Sequence, residues 1–105
     1  MALERIGQHG VVTLTIAQAH HTGALATYLP RVTERGLMPL LSCSGPAATG
    51  VAPFGGTRAL FTPNPLAAGI PTTGDPVLLD ISSSITTNNH ARQLAQRGER
   101  FPGAW

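Results

Sequence analysis

Cysteine, lysine, charge and aromatic mass are all scarce in this chain of 105 residues, and each scarcity closes a door. Cys43 is the sole cysteine, so an internal disulfide and a cysteine-based zinc site are both excluded. Lysine is absent, and the seven basic residues are arginines scattered from Arg5 to Arg100. Nucleic-acid binding needs a clustered basic stripe, with aromatics where single strands are stacked, and neither is present. Charged residues make up 11% of the chain, against about 25% in ordinary soluble domains. With only five aromatic residues, the apolar bulk is mainly Ala, Leu, Val and Ile. A chain with so little charge to cover itself is expected to meet protein over much of its surface. No apolar run approaches the roughly 18 residues of a membrane span. Glu4, Arg5 and Gln8 interrupt any secretory apolar stretch, so the cytoplasm is the expected compartment.

What is present reads as one domain at most. Ala2 to Gln8 predicts a helix stopped by His9-Gly10, and Val11 to Ile16, dense in β-branched residues, predicts a strand. Leu25, Leu29 and Val32 fall on one face of a helix over Ala24 to Arg35, ended by Gly36. Pro30 conflicts with that helix and predicts a kink or a late start. A strand is expected over Leu37 to Leu41, running on toward Cys43. Ser44 to Pro65 is rich in Gly and Pro, and its Phe54 and Phe61 argue for packing over disorder. Leu66 to Pro71 and Val77 to Ile81 predict two short strands. The polar, cap-like Ser82 to Asn89 then leads into a helix over Ala91 to Arg97. The fold class is α/β in mixed α+β layers, a sheet with packed helices.

Several familiar signatures fail. Gly45 to Gly50 has phosphate-loop spacing, but Val51-Ala52 stands where Lys and Ser/Thr are needed. No G-x-G-x-x-G follows either early strand, so the fold is expected to be non-Rossmann. A G-x-S-x-G nucleophile elbow is also missing. His20 and His21 are adjacent, with no His or carboxylate at i+4, which gives no metal site. Two features remain. His20-His21-Thr22-Gly23 lies between an expected strand and helix, where imidazole could serve proton transfer or simply fill a turn. In LLDISSSITTNN, Asp80 closes an apolar strand ahead of hydroxyl and amide groups, which could face a ligand or merely cap a helix.

Taken in order, five stretches resemble the malate/L-lactate dehydrogenase-like (type 2) oxidoreductases, a family that includes ureidoglycolate dehydrogenase, 2,3-diketogulonate reductase and piperideine-2-carboxylate reductase. They are HHTGALATYL, with the family's His-x-Gly and helix; APFGG at residues 52–56; NPLAAGIP at 64–71; LLDISSS at 78–84; and RGERFPGAW at the end. The resemblance spans the whole chain but a middle minority of the family's usual length. It therefore implies that residues 1–105 are a partial NAD(P)-binding and catalytic domain, truncated at both ends. It also implies a hydride exchange between NAD or NADP and a 2-oxo or 2-hydroxy acid, or a related cyclic imine, in a homodimeric full-length enzyme.

By the same resemblance, His21 is the catalytic acid/base, with His20 on a variable position. Ser44, Asp80, Ile81 and Ser82 hold the cofactor, and Asn64 positions substrate. Thr62-Pro63 replaces the family's Gly-Thr before Asn-Pro. The family's N-terminal Ser-His-Gly stretch with its following arginine is missing, as is the C-terminal part of the nucleotide site. No turnover is expected from this polypeptide alone. Two other readings are a non-catalytic remnant that at most binds nucleotide or a partner subunit, and an unrelated small α/β binding module.

Overall fold

A computed structural model describes residues 1–45 and 49–103. Residues 46–48 of the Gly/Pro-rich stretch and the last two residues of RGERFPGAW lie outside the described residues. Helix α1 (Ala2–His9) opens the chain and stops at Gly10, whose φ of 70° is open to glycine at no steric cost. A 3-10 turn (Leu25–Tyr28) runs into a short α2 (Pro30–Thr33). Three strands follow, β1 (Leu40–Ser42), β2 (Leu66–Ile70) and β3 (Val77–Ile81), and α3 (Asn88–Arg97) comes last. The sheet is antiparallel, in the order β1-β2-β3. A mixed helix-and-sheet layer is therefore present, as the sequence predicts.

Pro30 resolves its own conflict. It stands at the first position of α2, where a missing N–H costs nothing and a fixed φ favours the turn. The expected single helix is thus split at Leu29. The buried face runs through Leu25, Leu29 and Thr33, so Thr33 takes the inward place given above to Val32. Leu25 and Leu29 pack on Ala67 of β2, with Ala26 and Leu41 against them. Gly69 makes this approach possible: a Cβ there would lie 2.6 Å from Thr33 Cγ2 and 3.1 Å from Pro39 Cγ.

The expected strand over Val11 to Ile16 does not form. β-branched residues favour a strand only when a neighbour supplies ladder bonds and a packing surface. No described strand lies beside this segment, and Val11 and Ile16 remain exposed. The second strand starts three residues later than expected, at Leu40, because Pro39, which falls opposite Gly69 and accepts from Gly69 N at 3.0 Å, has no N–H to return the second bond of the pair. Phe54 and Phe61 are exposed too, so the packing expected of them is not found. Residues 50–61 are nonetheless joined through their backbone, with Val51 bridging Phe61. Gly50 meets the Asn88 side chain so closely that a Cβ would come within 2.6 Å of it.

Alternation along the strands sorts the sheet into two faces. Leu41, Ala67, Gly69, Leu78 and Asp80 share the face that carries the 3-10 turn and α2. Leu40, Leu66, Ile70, Val77, Leu79 and Ile81 share the other, and each is between 39% and 67% exposed.

Candidate functional site

The end of the sheet where β1 leaves, β2 enters and β3 leaves gathers most of the predicted residues. Register places Ser42 opposite Leu66 and Leu66 opposite Ile81. Ser44 follows β1, Asn64 precedes β2 and Ser82 follows β3, so all three sit at this one end. Two backbone links close the gaps between them. Cys43 N donates to Pro65 O at 3.3 Å, and Ser83 N donates to Pro63 O at 2.9 Å. Asn64 is therefore held between the exits of β1 and β3. Its φ of 43° is left-handed, a conformation asparagine tolerates better than most residues.

The contact at Pro63 also explains how the departure from Gly-Thr is accommodated. Proline lacks an amide proton, but the loop uses its carbonyl, which accepts from both Ser83 N and Ser83 Oγ, the latter at 2.6 Å. Ser83 is the residue here that sequence reasoning missed. A serine run after a strand signals a polar turn, and nothing in it says which hydroxyl reaches back twenty positions.

His21 lies on an exposed loop leading into the 3-10 turn, not at a strand end. Its Nδ1 accepts from Gly23 N at 3.0 Å, in a turn where Gly23 takes a φ of 73°. An Nδ1 that accepts leaves the ring proton on Nε2, so the neutral ring presents Nε2–H outward as a donor. The same loop is tied by Tyr28 Oη donating to Thr22 O at 2.8 Å and Thr27 Oγ1 donating to Ala24 O at 2.7 Å. His20 is exposed beside it.

Asp80 joins the loop to the sheet. Its Oδ2 accepts from Ala26 N at 2.9 Å, across fifty-four positions of sequence. The histidine loop and the strand-end carboxylate thus belong to one face. Ile81 does not share that face, since its side chain alternates to the opposite side, so it can reach a ligand there only through its backbone. The Ser82 hydroxyl is partly engaged by Ser84, through the carbonyl at 3.2 Å and the hydroxyl at 3.1 Å.

Two serine hydroxyls and the remaining carboxylate oxygen suit the hydroxyl and amide groups of a nicotinamide dinucleotide. None of them is a cation, so a diphosphate would take other contacts. A surface depression of about 310 Å³ lies elsewhere: Thr33, Glu34, Gly36, Pro71, Thr72, Gly74 and Pro76 line it at the far end of the sheet. Among the described residues no group of three or more His, Cys, Asp or Glu could hold a metal, and no helix is long and apolar enough to cross a membrane.

Known proteins give this arrangement a context. The chain is 39% identical over 105 residues to an L-lactate dehydrogenase of Cupriavidus necator, covering 96% of this chain and 30% of that protein. It is 32% identical over 97 residues to a (2R)-3-sulfolactate dehydrogenase (NADP(+)) of Chromohalobacter salexigens, covering 91% of this chain and 28% of the relative. The chain thus spans about three tenths of the length of these curated relatives. A crystal structure of a dehydrogenase from Sinorhizobium meliloti matches with a TM-score of 0.67 at 40% identity, over 80% of this chain and 24% of the other. The family model described as malate/L-lactate dehydrogenase matches residues 1–105, and the chain belongs to that family.

Proposed function

We propose that this chain supplies the acid/base and part of the cofactor-binding edge of an NAD(P)-dependent oxidoreductase acting on a 2-oxo or 2-hydroxy acid. The observation that carries the reading is the hydrogen bond from Ala26 N to Asp80, because it ties the His21 loop to the strand end that the family resemblance assigns to cofactor. The relatives' activities, and the length of polypeptide they need, make the complete reaction a property of a chain of their size. A homodimer of such chains belongs to the same reading.

The nicotinamide, when bound, supplies the hydride chemistry. As the imidazolium, with Nδ1 protonated and its contact with Gly23 N released, His21 delivers the Nε2 proton to the substrate oxygen as the carbonyl becomes an alcohol; in the reverse direction the neutral ring takes that proton back on Nε2. Ser44, Ser82 and Asp80 orient the cofactor through neutral and charge-assisted hydrogen bonds. Ile81 contributes there through its main chain. Asn64, held between the two strand exits, orients the substrate with its amide.

NADH and NADPH oxidation by a relative-length polypeptide carrying this segment, measured against a panel of 2-oxo acids and cyclic imines, tests the proposal. Turnover of at least one 2-oxo acid is expected, with His21→Ala lowering kcat about 100-fold, the scale of a lost acid/base. Unchanged turnover in His21→Ala would remove His21 from the role. Nucleotide binding without reduction of any acid or imine would favour a non-catalytic remnant.

A further inference from the structure

We infer that Asp80 is a positioning residue that fixes the His21 loop on the sheet through the Ala26 amide, a role that rests on the reading of His21 as acid/base. Beneath the 3-10 turn the sheet offers little relief. Leu25 and Leu29 rest on Ala67, which carries one methyl group, and Leu29 also lies against Gly69, which carries none. Apolar contact with such a surface is favourable but undirected, so it leaves the turn free to slide along β2. A hydrogen bond is directional and short, and the one that Asp80 Oδ2 accepts from Ala26 N at 2.9 Å selects one position.

That position is passed on to the imidazole because the intervening loop is tied internally. Tyr28 Oη holds Thr22 O, Thr27 Oγ1 holds Ala24 O, and Gly23 N holds His21 Nδ1. From Ala26 back to His21 the loop moves as one piece, and the carboxylate sets where that piece sits. Asp80 thereby acts on His21 without touching it. The role needs an acceptor oxygen at residue 80, not a negative charge, and this separates it from a contact with cofactor made through the charge.

Nitrogen-15 spectroscopy of a relative-length polypeptide carrying this segment, without cofactor, tests the inference. Asp80→Asn keeps an acceptor and is expected to preserve the His21 pattern of an accepting Nδ1 and a protonated Nε2. Asp80→Ala is expected to lose that pattern, with averaged ring nitrogens, and to speed Ala26 amide exchange about tenfold. Protected Ala68 and Gly69 amides in the same spectra report that the sheet has survived. Should Asp80→Ala lose the sheet, the wild-type chain decides: the Ala26 amide shift must follow the Asp80 carboxyl resonance as pH is lowered. An unchanged His21 pattern in folded Asp80→Ala, or an Ala26 amide indifferent to that carboxyl, overturns the proposal. Neither readout depends on turnover, so the anchor can fail while the oxidoreductase reading stands, and the reverse.

Discussion

At the scale of single residues, Gly69 and Asn64 are each required for a reason their neighbours dictate. A Cβ at 69 would strike the Thr33 methyl at 2.6 Å while Pro39 and Leu29 close in at 3.1 and 3.3 Å. Gly69→Ala is therefore expected to destabilise the fold by about 1–3 kcal/mol, the scale of an overpacked core. Denaturant midpoints measure this, and Thr33→Ser, which deletes the obstructing methyl, should recover part of the loss in the double variant. Equal losses with and without Thr33→Ser would place the strain elsewhere. Asn64 carries two possible duties, a left-handed backbone and a substrate-facing amide. Asn64→Gly keeps the first and deletes the second. If the amide positions substrate, Asn64→Gly raises KM with stability nearly unchanged, while Asn64→Ala loses about 1 kcal/mol of stability as well.

At the scale of elements, α3 owes its limits to two identifiable devices. Thr87 accepts from His90 N at 3.1 Å, and at the other end Gly98, at a φ of 66°, donates its amide to Ala95 O at 3.2 Å while Glu99 N donates to Leu94 O at 3.0 Å. Thr87→Ala should weaken the helix by about 1 kcal/mol, and Thr87→Ser by much less, as read from amide exchange along 88–97. Equal protection in both variants would show that the cap is idle. These boundary devices explain which elements could be read in advance. β2 and β3 are short apolar runs bracketed by turn residues, and they form where the pattern puts them. The start of α3 was pre-figured by the polar segment before it, though the helix begins at Asn88 and not at Ala91. Val11 to Ile16 misleads because its composition reports a preference for strand, and preference cannot create a pairing partner. Residues 50–61 mislead for a related reason: they are joined by main-chain bonds around Val51 and Phe61, to which side-chain identity gives little clue. The candidate site was legible as a set of residue types in order. Its connections, Ala26 to Asp80 and Ser83 to Pro63, were not, because both run between a backbone group and a distant side chain.

At the scale of the whole molecule, the chain exposes more surface than its mass warrants. It presents 8536 Å², where a self-contained monomer of 10.9 kDa presents about 5,600 Å². Its radius of gyration is 17.0 Å, against about 13 Å for a compact domain of this length. The scarcity of charge and the six exposed side chains on the open sheet face describe the same condition from two directions. The 105-residue chain is expected to self-associate as concentration rises and to bind an apolar dye, both measurable by light scattering and fluorescence. A dye-silent monomer at high concentration would contradict that expectation.

Water accessibility and tolerance of substitution usually travel together, and the open face separates them. Leu40, Leu66, Ile70, Val77, Leu79 and Ile81 would score as permissive in any ranking weighted by exposure. Lysine at these positions should make the short chain easier to handle. In a polypeptide of the relatives' length, where further protein has to be accommodated somewhere, the same lysines would be selected against as though they stood in an interior.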